Sequence, residues 1–310
     1  MTEFVIALFL SYLWHAMGVT IGYHRLLSHR SFACPKIVEY FWVFGGYLAF
    51  EGSPIWWAAI HRAHHRYADT PLDPHSPRNG LREAYYGWMT REGYPAHIDP
   101  HVQCKDLVRD SLYLFLDQGG KWHRAHALTL VIGVIFRGLL WFLFGWKIAL
   151  ASLLAAGVVL QIPLLLNVVC HIPRLGYKTY ATEDDSVNVW WVGLLAMGEG
   201  WHNNHHAFPG SCRTGLKFHE FDLSWLTLRL LKSVGLVGRM NECRPTQQHL
   251  RSRSFTLARH ASSGAQHDPG LGLAACLRPP SAGERLVAPS AEGRRRQSAL
   301  GSASRARQRP

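Results

Sequence analysis

Three long apolar runs constrain this chain before any other feature does. Residues 4–23 are interrupted mainly by Ser11, His15 and Thr20, residues 128–146 by Arg137, and residues 148–169 by Gln161 and Pro163. A helix rises about 1.5 Å per residue, so about 20 residues cross a hydrocarbon core of about 30 Å. Within a bilayer every backbone N–H and C=O needs a partner, and a helix supplies it internally. The runs therefore predict an all-α integral membrane chain with three spans. The first lacks the basic leader and A-x-A site of a signal peptide and is read as a retained span. The second and third, joined around Gly145-Trp146-Lys147, predict an antiparallel hairpin whose polar residues face protein or a cavity. Two shorter runs, 37–50 and 187–197, are expected to be interfacial or buried helices.

Histidine is the second constraint, with 19 copies in 310 residues. Imidazole binds metals and moves protons near neutral pH, so a surplus needs a cause. Eight of the 19 fall in three groups: His24 and His29 (HRLLSH), then His61, His64 and His65 (HRAHH), then His202, His205 and His206 (HNNHH). In the last two the spacing i, i+3, i+4 predicts a shared helix face, with three imidazoles converging on one point. The first spacing, i, i+5, is about 140° out of line on an ideal α-helix. It predicts a helix end where the chain unwinds just after the span. Eight histidines exceed the three or four ligands of one zinc and suit two metals. Imidazole accommodates iron, zinc, copper and nickel, so ligand type alone does not choose.

Topology tests this grouping. The first two groups lie between the first span and the hairpin, while His171 and the third group follow it. A hairpin crosses and returns, so all are expected on one membrane face. Arg25, Arg30, Lys36, Arg62, Arg66 and Arg82 gather there, which predicts the cytosolic side.

The stretches GYHRLLSHRSF (22–32), HRAHHRYADTPLDPHSP (61–77) and GEGWHNNHHAFP (198–209) resemble the membrane fatty acid desaturases. The likeness is greatest to the Δ9 type of bacteria and cyanobacteria, related to stearoyl-CoA desaturase, and extends over about residues 4–245. It implies a membrane helix bundle capped by a cytosolic helical domain with a di-iron site, and O2-dependent insertion of a cis double bond into a fatty acyl chain. It further implies that His24, His29, His61, His64, His65, His202, His205 and His206 ligate two irons. The same resemblance makes His171 a ninth ligand and gives Asn167 a metal-bound water. The other histidines, such as His15, His75, His97 and His219, are assigned structural or solvated roles. Acidic and amide neighbours, namely Glu51, Asp69, Asp73, Asp184, Asp185, Glu199 and Asn203, are candidates to accept the second ring N–H of the ligands. Trp42, Trp56, Trp57, Trp190 and Trp191 are candidates for tunnel walls or interface anchors.

The electrons must come from outside. The chain has no GxGxxG within a βαβ pattern, no iron–sulfur cysteine spacing and no CxxCH haem site. An external donor such as a ferredoxin or a cytochrome is expected, with membrane lipid as the surroundings. Two departures from the family stand out. Its members usually place two spans before the first histidine group, where this chain has one. The Arg-Asp pair typical of the eukaryotic acyl-CoA enzymes is replaced by Ala59-Ile60, which leaves lipid-bound acyl chains open as substrates.

The remaining features mostly exclude. The net charge of +12 is concentrated from residue 250 onward, where eleven Arg meet only Asp268, Glu284 and Glu292. That segment has one aromatic residue, Phe255, so no nucleic-acid platform is predicted. Its Ser-, Ala-, Pro- and Arg-rich composition predicts a disordered tail at 250–310, beside a desaturase-like domain at 1–249. Six cysteines without a CxxC pair predict no disulfide framework or zinc knuckle. The nearest rival is a sister di-iron hydroxylase or ketolase, which yields an oxygenated product instead of an alkene. A metal transporter would need ionisable residues along its spans, and residues 4–23 and 148–169 hold almost none.

Overall fold

The computed structural model describes residues 1–91 and 93–243; the tail expected at 250–310 lies outside the described residues. Within them the chain is helical, with three isolated β-bridges and no strand. Three helices are long and apolar enough to cross a membrane. Helix α1 (Thr2–Met17) continues without a break into a π-helix (Gly18–Ser28), so the first candidate span has 27 residues. Helices α7 (Trp122–Phe144) and α8 (Trp146–Val169) form the expected hairpin. Their connection is tighter than expected: Gly145 alone makes the turn, at φ 89°. Helix α7 also begins six residues before the apolar run at 128, because its first turn is polar but still helical.

Short helices carry the chain between the spans: α2 (Lys36–Tyr47), α3 (Pro54–Tyr67), α4 (Leu81–Tyr85), α5 (Pro100–Gln103) and α6 (Ser111–Asp117). After the hairpin come α9 (Trp190–Leu195), α10 (His202–Ala207) and α11 (Leu223–Ser233). The apolar run at 187–197 is thus helical only in its centre. Local chemistry sets several boundaries. Ser53 Oγ accepts from Trp56 N, with Pro54 in the first turn, to start α3. Asp110 and Asp222 cap α6 and α11 in the same way.

The expectation that the chain unwinds at the first histidine group is overturned. It widens instead: His29 N donates to His24 O, a bond of π-helical span. On this wider helix, residues five apart stack, so the spacing that is misaligned on an α-helix becomes aligned.

Helix α2 crosses the first span at very short range. A Cβ placed on Gly18 would lie 2.2 Å from Gly46 N, and one on Gly22 would lie 2.9 Å from Trp42 C. Only a hydrogen on these α-carbons permits the approach, as at small-residue crossings in membranes. The approach buries the end of α2, whose last carbonyls need partners. The spans provide them: His15 Nδ1 donates to Gly45 O at 2.7 Å and Arg137 Nη2 to Leu48 O at 2.9 Å. Both donors are buried, and the Arg137 guanidinium also lies 4.8 Å from the Phe50 ring centre. A cation at the C-terminal pole of a helix is favourably placed. His15 and Arg137 therefore cap α2, and Arg137 meets the expectation that the hairpin's polar residues face protein.

Filling this crossing tests it. Gly18→Val should force α1 and α2 apart against backbone atoms that cannot rotate away, at a cost of at least about 1–3 kcal/mol. The expected result is a clear fall in the melting temperature of the detergent-solubilised protein followed by size exclusion; an unchanged melt would show that the crossing carries no load.

Candidate metal centre

The nine histidines come from four stretches of chain, the π-helix with its C-cap, α3, the residues just after α8, and α10, and meet in two groups. His24, His29, His61, His65 and His205 form one; His64, His171, His202 and His206 form the other. Within each group the ligand nitrogens all lie within 4.8 Å of one another. In the first, Nε2 of His24 is 3.0 Å from that of His205, His29 is 2.9 Å from His61, and His65 is 3.1 Å from His61 and 2.9 Å from His205. In the second, His171 Nε2 is 3.0 Å from that of His202, and His206 Nε2 is 3.1 Å from His202 and 3.3 Å from His64.

The convergence of each HxxHH motif on a single point is overturned. Helix α3 sends His61 and His65 to one group and His64 to the other, and α10 divides His205 from His202 and His206 in the same way. The reason is helical geometry. Positions i and i+4 are about 40° apart, whereas i+3 lies about 60° away on the other side. Each motif therefore serves two centres.

Carboxylates behind the rings decide which nitrogen points inward. Asp73 accepts from His64 Nδ1 at 3.0 Å, Asp69 from His171 Nδ1 at 2.8 Å and Asp184 from His206 Nδ1 at 2.8 Å. Glu199 Oε2 lies 2.7 Å from His24 Nδ1. With Nδ1 donating, Nε2 carries a lone pair. Three lone pairs of the second group therefore point at one another with at most one N–H, from His202, to share. Protonation is disfavoured at six of the nine rings. Burial, reinforced by neighbouring imidazoles, holds His29, His61, His65, His202 and His205 well below the usual histidine range. Burial likewise takes His206 down to about 4, although Asp184 opposes it. His64 is the exception: burial disfavours its charge, but Asp73 outweighs burial and raises it. Imidazoles aimed at one another, four of them braced by an acid, fit cations held between them. The residues present thus fit a metal site with two compartments.

Four of the seven acid and amide candidates meet a histidine: Asp69, Asp73, Asp184 and Glu199. The other three do not. Asp185 holds Arg78 at 2.8 Å, Asn203 accepts from the Thr179 and Tyr180 backbone, and Glu51 accepts from Trp57 Nε1. Asn167 lines a cavity beside His24, His61, His202 and Glu199, whose remaining walls are mostly apolar and include Trp57, Val159, Ile162, Leu166 and Ala196.

Two residues named from the sequence, Arg25 and His75, have roles at the site that sequence reasoning did not give. Arg25, 1% exposed, is the hub of the site. It donates to Glu199, to Thr214 Oγ1 and to Cys212 O, and it pairs with Asp222 at 3.0 Å. It thereby ties the first span to the segments around α10 and α11. Gly198, at φ 116°, lets the chain pass this pair, since a Cβ there would lie 2.5 Å from Asp222 Oδ1. His75 is buried and stacks on His64 with centroids 4.3 Å apart, so its solvated alternative is excluded. No spacing rule pointed to either residue.

Residues 3–232 match the fatty acid desaturase family. The chain belongs to that family. It is 40% identical over 232 residues to the sn-1 stearoyl-lipid 9-desaturase of Anabaena variabilis, covering 74% of this chain and 81% of that one. It is 38% identical over 223 residues to Delta-9 acyl-lipid desaturase 1 of Arabidopsis thaliana, covering 71% and 69%. An acyl-CoA C20 Delta5-desaturase of Anemone leveillei is 37% identical over 245 residues, covering 77% and 73%. This desaturase therefore shares its framework with relatives named for different acyl carriers and different double-bond positions.

Two changes probe the site. Asp73→Asn keeps the shape of the side chain but removes the charge behind His64, and metal affinity should fall 10–100-fold by the usual scale for such partners, roughly estimated. Metal content after equilibration with buffered iron measures it, and unchanged occupancy would count against the role of Asp73. Glu51 offers a pH test. Burial raises its carboxyl from 4.5 to about 8, despite the opposing bond from Trp57. Between those values the unfolded chain binds fewer protons than the folded one, so stability should decline as pH rises from 4.5 to about 8. Glu51→Gln should flatten that part of the curve of melting temperature against pH; parallel curves would contradict the assignment.

Proposed function

We propose that this desaturase inserts a cis double bond at Δ9 of a saturated acyl chain carried on a membrane lipid, using two irons, O2 and two electrons from an external donor. In this reading His24, His29, His61, His65 and His205 hold one iron, and His64, His171, His202 and His206 hold the other, with Asn167 contributing through a water. The division of nine imidazoles into two adjoining sets carries the proposal. Bound iron would supply the O2-dependent oxidising power that removes two hydrogens from neighbouring methylenes.

The chain's own residues do the rest. Methylenes offer no polar handle, so selectivity must come from holding one C–C pair beside the metals. The apolar cavity along α8 and the first span reaches His24, His61 and His202, and its walls suit such a chain. Asp69, Asp73, Asp184 and Glu199 orient the imidazoles and keep their inner nitrogens basic. Lipid as the acyl carrier is supported by the Δ9 acyl-lipid names of two relatives and by Ala59-Ile60 where acyl-CoA enzymes of the family carry Arg-Asp.

The histidine face is assigned to the cytosol, where an electron donor docks. Of the six cations behind that orientation, Arg25 is internal and Arg62 is committed to Asp106 at 2.8 Å. Arg30, Lys36, Arg66 and Arg82 remain exposed and support it.

The test is expression in a host that lacks its own desaturases, with lipid profiling by mass spectrometry and location of the double bond. A cis-Δ9 monoene on glycerolipid is expected; a hydroxylated chain would replace this reading with a sister oxidase. His64→Ala and His205→Ala should each abolish the product and lower bound iron, one for each compartment. Full activity in either would refute the ligand set.

A further inference from the structure

A file of aromatic rings leads away from the second histidine group. His75 stacks on His64 at 4.3 Å, and Trp88 lies 5.2 Å from His75. Trp88 and Trp56 are nearly parallel, 5.3 Å apart at 6°. His126 is 5.7 Å from Trp56 and stacks on Trp122 at 4.0 Å. Trp88 and Trp56 are 8% and 4% exposed, whereas Trp122 is only half-buried and opens helix α7 beside exposed His123. The file thus begins at the metal centre and ends at the surface.

Simple core packing does not account for these rings. His75 Nδ1, Trp88 Nε1, His126 Nε2 and Trp122 Nε1 are all buried without a hydrogen-bond partner from the protein. Unpaired buried polar atoms cost stability, and phenylalanine or leucine would fill the same space without that cost. Indole has a property that those side chains lack: it gives up an electron to a strong oxidant. An acyl chain that fails to arrive leaves such an oxidant beside oxidisable histidines.

We propose that Trp88, Trp56 and Trp122 drain oxidising equivalents from the metal centre when no acyl chain is bound. This inference rests on the iron- and O2-dependent reading above. Trp88 gives one electron to the centre across His75 and His64 and becomes the indole radical cation. Trp56 refills Trp88, and Trp122 refills Trp56 across His126. The missing electron is then restored at Trp122 by a thiol or by the reduced donor protein. No bond forms or breaks along the file. For each O2 spent without substrate, two electrons come from the donor and two through the tryptophans, and four protons from solvent complete two waters. Trp57 also abuts the site, stacked on His61 at 5.1 Å, but its other partners His24, Tyr23 and Glu51 are buried and offer no exit.

The test uses the full chain, iron-loaded in lipid nanodiscs, with O2 and a reductant but no acyl substrate. Oxidised residues are mapped by peptide mass spectrometry. Oxidation should concentrate on Trp88, Trp56 and Trp122, exceeding both buried Trp42 and Trp201 and exposed Trp141 and Trp190. Trp88→Phe should lower oxidation at Trp56 and Trp122 several-fold and raise oxidation at His64, with product yield per first turnover unchanged. Trp88→Tyr should restore the wild-type pattern, because a phenol also passes an electron, whereas a packing role would not favour Tyr over Phe. Oxidation that follows solvent exposure, or equal patterns in the Phe and Tyr variants, overturns the route while leaving the desaturase reading intact. Iron-loaded protein that consumes no O2 overturns that reading, and the route falls with it.

Discussion

The inner nitrogens of nine imidazoles are crowded into two small volumes. They approach to about 3 Å, and where acids fix the outer nitrogens, as at His171 and His206, lone pairs face one another and repel unless a cation lies between them. The surrounding structure can be understood as the frame that withstands this repulsion. A central member is Arg25, which joins the first span to Glu199, Asp222, Thr214 and the Cys212 carbonyl. Burying a cation is costly, and the cost is offset here only because two carboxylates and two further acceptors surround it.

The same economy governs the spans. Crossing a bilayer demands that every backbone group be satisfied, and bringing α2 against the first span leaves helix-end carbonyls in an apolar setting. His15 and Arg137 resolve this from neighbouring helices. Residues that would mark a transport path in another membrane protein serve here as caps.

Much of the site was legible in the sequence, and the limits have physical causes. Long apolar runs and histidine spacing carry strong local signals, so the three candidate spans and eight of the nine gathered histidines were legible, while His171 came only from the family resemblance. Spacing on one helix, however, says only which side chains are neighbours. It does not say that His61 and His65 lean one way and His64 the other, because that depends on what faces the helix. The i, i+5 pair misled for a related reason: the argument assumed α-helical pitch, and the chain adopts a wider one. Arg25, His75 and the pairing of acids to rings depend on contacts between segments up to 197 residues apart, as Arg25 and Asp222 are. No periodicity records such contacts.

The unbroken passage of the first span into the segment bearing His24 and His29 has a mechanical consequence. With no hinge between them, His24 and His29 move with the span as one rigid piece. Where that piece stands is set by its neighbours, through the close crossing with α2 at Gly18 and Gly46 and the bonds from Arg25. A change that shifted the span lengthwise would therefore carry two of the nine rings out of register with the other seven.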